Sequence, residues 1–183
     1  MNKKGFTYPG DIIVEWINET NDQVKSYDKI TQIWNWWSFS PSDERQNRTS
    51  LKPAKDTIIN VWNRVELESI IQNGYQVIVT SETGEEGLYI TPALAGVKAG
   101  DYGYLDAKTI YEKWKPQTDK AVKGFKICIW SDQAEHQSDT WFNQFADLPK
   151  AVLAERTWGR PTSGSIEKFQ ERIKMVGNAP YNK

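Results

Sequence analysis

Four short apolar runs are punctuated by helical patterns, and that alternation restricts the fold more than any other feature of the chain. The runs are "ITQIWNWW" (Ile30 to Trp37), "TIINVW" (Thr57 to Trp62), "QVIVTS" (Gln76 to Ser81) and "FKICIW" (Phe125 to Trp130). Each has strand length and is rich in β-branched or aromatic residues. Before the first, Ile13, Ile17 and Val24 recur at helical spacing from Asp11 to about Ser26, with Pro9-Gly10-Asp11 as a start signal. A short helix is expected over Val65 to Gly74, ended by Asn-Gly, and another over Asp106 to Trp114, stopping before Pro116. Two more follow, from about Asp139 to Trp158 with Pro149 inside it, and from about Ser165 to Met175. Strands separated by helices predict parallel βα units in an α/β fold. Three of the four runs are continuously apolar rather than alternating, as in strands covered on both faces.

The bulk numbers remove several function classes. With 183 residues the chain can bury a real core and is expected to form one domain. Its 23 basic and 24 acidic residues are well mixed, so the basic stripe of a nucleic-acid binder is missing. No run approaches membrane-spanning length, and the N-terminus lacks the apolar core of a signal peptide. Cys128 is the single cysteine and His136 the single histidine, too few for an intrachain disulfide or a Cys/His metal site. No cofactor is implied.

Tryptophan is the outlier, at nine residues. Trp34 falls near the C-terminal end of the first run, Trp62 ends the second, Tyr89 follows the third and Trp130 ends the fourth. In a β/α barrel such strand ends converge on one site, where these side chains would make an aromatic cup. The alternative is that they simply pack a core, as most tryptophans do. Asp132 follows Trp130 by two residues, which on extended backbone puts both side chains on one side. An indole beside an acceptor-only carboxylate suits a ring-shaped, hydroxylated ligand, namely a sugar.

Six fragments in order carry a family resemblance: "IWNWW" (33–37), "VWN" (61–63), "GYQVIVTS" (74–81), "GLYI" (87–90), "CIWSD" (128–132) and "LAERTWG" (153–159). Together they resemble the C-terminal half of glycoside hydrolase family 20, which contains β-N-acetylhexosaminidases and lacto-N-biosidases. The resemblance implies a (β/α)8 TIM-type barrel, of which this chain would supply about four βα units, strands five to eight. It also implies substrate-assisted chemistry, in which the sugar's own N-acetyl oxygen attacks the anomeric carbon. In that family an Asp-Glu pair in a His-x-Gly-Gly-Asp-Glu motif orients the acetamido group and protonates the leaving group. No such motif occurs here. The pair Asp43-Glu44 lies in "SPSDERQNR", without the glycines or a preceding strand, and reads as a solvated loop. The N-terminal half with the catalytic pair is therefore expected to be absent from these 183 residues.

Roles follow by position in the resemblance. Trp34, Trp62 and Trp130 would wall the pocket, and Tyr89 would donate a hydrogen bond to the acetamido oxygen. Tyr104 and Asp106, in "GYLD", fit the family's Tyr-x-Asp pattern, although Asp106 also stands where a helix N-cap belongs. Asp132 would accept from hydroxyls of the terminal sugar. It is one methylene shorter than the usual Glu, as in the disaccharide-releasing members. The implied partners are an amino-sugar-containing oligosaccharide and either an N-terminal half-barrel or a second copy, with no nucleic acid and no membrane insertion. A non-catalytic amino-sugar-binding module is the alternative. Four strands leave two open edges, and inward-facing Ile33, Ile59, Val77 and Ile127 would lack opposing strands, so self-association is expected.

Overall fold

The computed structural model describes residues 5–35, 49–61, 67–80, 106–127, 136–158 and 164–177. In chain order these form α1 (Pro9–Lys25), β1 (Gln32–Trp34), β2 (Ile58–Val61), α2 (Leu67–Gln72), β3 (Val77–Val79), α3 (Ala107–Lys113), β4 (Val122–Phe125), α4 (Asp139–Trp158) and α5 (Ile166–Val176). The strands make one parallel sheet in the order β1-β2-β3-β4. Sequential parallel order is that of an arc of a β/α barrel; a doubly wound sheet reverses its order midway. The fold is α/β, as the alternation of patterns requires.

The chain divides into two compact units: Met1–Thr83 with Gln117–Lys126, and Gly84–Pro116 with Ile127–Lys183. The first holds the sheet, α1 and α2. Register assigns its side chains to faces, since paired residues of a parallel ladder project to the same side. Ile33, Ile59, Val77 and Val122 align on one face, with Val61, Val79 and Phe125 further along it. Those seven pack with Leu67, Ile70 and Ile71 of α2 and with Tyr75 in one apolar cluster. Removing apolar area of this kind from water, at about 25 cal/mol per Å², is what holds a helix on a sheet. β2 is buried at every position, whereas the edge strands β1 and β4 are only partly covered. Continuous apolar character thus marks the central strands.

The turn after α2 explains "NG". Gly74 adopts φ 82°, and its N–H reaches the Ile71 carbonyl at 2.8 Å while the Tyr75 N–H reaches that of Ile70 at 3.3 Å. A left-handed residue here closes the helix and feeds β3, and glycine takes that conformation without a Cβ penalty. Tyr75 is then buried, its hydroxyl donating to the Pro53 carbonyl at 2.7 Å.

Three expectations need correction. Ile33, Ile59 and Val77 do not face away from the helices; they pack on the α2 side. Apolar sequence marks a covered face, and α2 is what covers it. The fourth strand comes earlier than "FKICIW": it is Val122–Phe125, with a register shift opposite Val77 and Ile78. Only Phe125 is common to both ranges, the Lys126 N–H still donates to the Val79 carbonyl at 3.0 Å, and 128–130 lie outside the described residues. Finally, Ile13 of α1 is 54% exposed; Val14, Ile17 and Asn21 form the buried stripe, one step around the helix.

The second unit holds α3, α4 and α5. Tyr111 of α3 stacks on Phe169 of α5 with ring centres 4.8 Å apart, and Lys108 pairs with Glu167 at 3.6 Å. Arg156 of α4 donates to the Trp114 carbonyl at 2.5 Å, next to a buried indole. α4 continues through Pro149, which is itself buried. Among the described residues no helix is long and apolar enough to cross a membrane.

Candidate functional site

The sheet face opposite α2 is built differently. Gln32 aligns with Ile58 there, and Trp34 with Asn60, Ile78 and Gly124. Lys126 follows Gly124 by two residues and joins the same face. Its ammonium donates to Asn60 Oδ1 at 3.0 Å and to Gln32 Oε1 at 3.4 Å, and lies 5.9 Å from the centre of the Trp34 ring. That distance is within the range of a cation–π contact. Asn60, almost wholly buried, donates through Nδ2 to the Ile33 carbonyl at 3.3 Å and accepts at its own carbonyl from the Asn35 N–H at 3.1 Å.

An indole edged by amides and an ammonium can stack on an apolar sugar face and bond its hydroxyls. These donors and neutral acceptors can bind and orient a polar ring. Among the described residues no group of three or more His, Cys, Asp and Glu could hold a metal ion.

Of the residues expected in the site, Trp34 stands on this face, half-buried at the end of β1. Asp106 is the N-cap of α3. Its Oδ1 accepts from the N–H groups of Lys108 and Thr109 at 3.0 and 3.2 Å, and its Oδ2 from the Thr109 hydroxyl at 2.6 Å. Trp62, Tyr89, Tyr104, Trp130 and Asp132 lie outside the described residues, as do Asp43, Glu44 and Cys128. His136 is an exposed turn residue.

Gln32, Asn60 and Lys126 were not expected here. Each sits inside a run read as apolar, Gln32 in "ITQIW", Asn60 in "TIINVW" and Lys126 in "FKICIW". A polar residue amid strand-forming neighbours costs stability unless it is bonded, and that was the available signal.

Within the sheet unit, Asp11, Lys55 and Tyr75 are electrostatically perturbed away from this face. Burial works against the Asp11 charge, but hydrogen bonds from Tyr8, Leu51 and Ser50 outweigh it and hold the carboxyl well below the usual range. Burial lowers the Lys55 ammonium, with Lys52 adding to the effect, and burial raises the Tyr75 phenol. Lys55 rests over the Tyr75 ring at 4.0 Å and bonds the Asn73 carbonyl. These groups tie loops to α1 and α2 and are part of the scaffold.

Comparison with known proteins agrees with the fold. A family model described as glycosyl hydrolase family 20, catalytic domain, matches residues 1–161. The crystal structure of a beta-N-acetylhexosaminidase from Bacteroides fragilis NCTC 9343 is similar at a TM-score of 0.66 and 14% identity, over 94% of this chain and 35% of that one. The chain thus spans about a third of that solved structure's length. No curated protein sequence matches it.

Proposed function

Because the chain belongs to glycosyl hydrolase family 20, we propose that it contributes the substrate-binding half of a glycosidase pocket. The substrate class is an oligosaccharide ending in β-linked N-acetylhexosamine or lacto-N-biose, cleaved with retention through the sugar's own acetamido group. The family match across residues 1–161 is the observation that carries this reading. The indole of Trp34 among amide and ammonium groups supports it. Trp62 and Trp130 complete the aromatic wall, Tyr89 holds the acetamido oxygen, and Asp132 accepts from the sugar hydroxyls. Tyr104 stands second to Tyr89 in that role, and Asp106 is already engaged in capping α3. The 183 residues contain no His-x-Gly-Gly-Asp-Glu stretch, so the general acid comes from an N-terminal half-barrel in the working enzyme.

The test combines the chain with a family 20 N-terminal half and follows hydrolysis of an aryl N-acetyl-β-glucosaminide. Activity is expected in the pair only. Asp132→Ala should lower kcat/KM roughly ten- to a hundredfold, the scale of one charge-assisted hydrogen bond at about 1.5–3 kcal/mol. Robust hydrolysis by the chain alone, lost on Glu44→Gln, would move the acid to the Asp43-Glu44 pair. Binding of N-acetylglucosamine with no hydrolysis by any pair would favour the binding-module reading.

A further inference from the structure

We infer that Asn60 and Lys126 are positioning residues for Trp34, fixing where its indole stands on the polar face of the sheet. The inference rests on the reading of Trp34 as a wall of the amino-sugar pocket, and it assigns the amide and the ammonium beside the indole a role in placing it.

The chemistry of the donors sets the arrangement. An ammonium can only donate, so the Asn60 carboxamide must turn its oxygen toward Lys126, at 3.0 Å. Its NH2 group is then directed to the other side, where it donates to the Ile33 carbonyl at 3.3 Å. That carbonyl belongs to the peptide group entering Trp34. The peptide group leaving Trp34 donates its N–H, that of Asn35, to the Asn60 backbone carbonyl at 3.1 Å. One buried asparagine therefore holds the backbone on both sides of the tryptophan, and Lys126 decides which way its amide faces.

Lys126 adds a second hold. Its contact to Gln32 at 3.4 Å and its place 5.9 Å from the Trp34 ring centre bracket the indole from the residue two before it. β1 and β4 are separated by β2 and β3, which in a flat sheet would be about 14 Å. A side chain from the end of β4 that reaches β2 and β1 ties the last strand to the first. An apolar side chain at this place could fill the same space but could not orient the amide.

The test labels the full chain with 5-fluorotryptophan and follows it by fluorine NMR. The Trp34 resonance is identified by its loss in Trp34→Phe. Lys126→Met should shift or broaden that resonance while leaving the buried Trp114 resonance in place, and Lys126→Arg should return it most of the way. Asn60→Leu should move the same signal. If Asn60→Leu loses its far-UV circular dichroism, Asn60→Ser replaces it, because serine cannot bridge Lys126 to the Ile33 carbonyl. Titration with N-acetylglucosamine gives the second readout: Lys126→Met should bind about tenfold more weakly, the scale of one charge-assisted hydrogen bond, with recovery in Lys126→Arg. A Trp34 resonance unmoved in both the Lys126 and Asn60 variants would overturn the inference whether or not sugar binds. A moved resonance with unchanged sugar affinity would overturn it too. Absence of sugar binding by the unsubstituted chain would count instead against the pocket reading, with the fluorine signals still deciding the positioning.

Discussion

Asp11 and Ser50, 39 residues apart, are joined twice: the Ser50 N–H donates to Oδ1 at 2.5 Å and the Ser50 hydroxyl to Oδ2 at 2.8 Å. The same carboxylate accepts from the N–H groups of Leu51, Thr7 and Tyr8 at 3.0, 2.9 and 2.8 Å, and it is fully buried. It therefore anchors the segment before β2 to the start of α1. Asp11→Ala removes the acceptor for five donors at once, and each hydrogen bond to a charged group contributes about 1.5–3 kcal/mol. A loss of at least that single-bond amount is expected in urea unfolding, and Asn at this position should also be destabilising because its NH2 would meet N–H donors. The pH dependence has a definite sign. The folded carboxyl lies below its ordinary 3.8, so its stabilisation is complete above that value and is lost as pH falls toward the folded value. The stability gap between the parent chain and Asp11→Asn should be level above about pH 5 and shrink below pH 4. A gap unchanged down to pH 2 would contradict it.

Asp106 offers a second check, because its two candidate roles predict different readouts. As the α3 N-cap it satisfies the Lys108 and Thr109 N–H groups. Asp106→Ala should cost ~1 kcal/mol and Asp106→Ser much less, since serine also caps. A Ser variant of parent-like stability that has lost affinity for N-acetylglucosamine would assign the carboxylate to the sugar.

Much of this is legible in the amino-acid sequence. Pro9 and Asp106 marked helix starts, and Asn73-Gly74 marked a helix end, because caps and left-handed turns are local chemistry written in adjacent residues. β4 was hidden for the opposite reason. "VKGF" contains a lysine and a glycine and owes its strand conformation to pairing with β3, a contact that no local window contains. Ile33, Ile59 and Val77 pack on α2 rather than facing inward, and periodicity shows which residues share a face but not which face meets α2. In the site, Trp34 stood out as an aromatic at a strand end. Asn60 and Lys126 did not, since a polar residue in an apolar run has no visible meaning until the strand register brings its partner beside it.

Association is the third prediction, and its cause now differs from the one the sequence suggested. The apolar face of the sheet is covered by α2, but among the described residues β1 and β4 each have one unpaired edge. Ile12, Ile13 and Trp16 also stand 48%, 54% and 64% exposed on α1. Open edges and an apolar stripe favour self-pairing or capture of a complementary half-barrel. Sedimentation should show mass rising with concentration, reduced by combining Ile13→Glu with Trp16→Glu. A monomer at all concentrations would remove the argument for a partner.

The last prediction concerns the acetamido nucleophile. If Tyr89 donates to its oxygen, the bond holds the acetamido group in the near-attack geometry, with that oxygen aimed at the anomeric carbon, an alignment the transition state requires and the bound ground state does not. An interaction favouring the transition state over the bound ground state acts on kcat, whereas equal help to both acts on KM alone. Tyr89→Phe in the complemented enzyme should therefore lower kcat by roughly a hundredfold with KM changed severalfold at most, the scale of a small misplacement of a reacting group. The hydroxyl can be separated from the ring, since Tyr89→Leu should raise KM as well by removing aromatic surface. Equal kcat for parent and Tyr89→Phe would pass the role to Tyr104, whose own Phe variant would then show the loss.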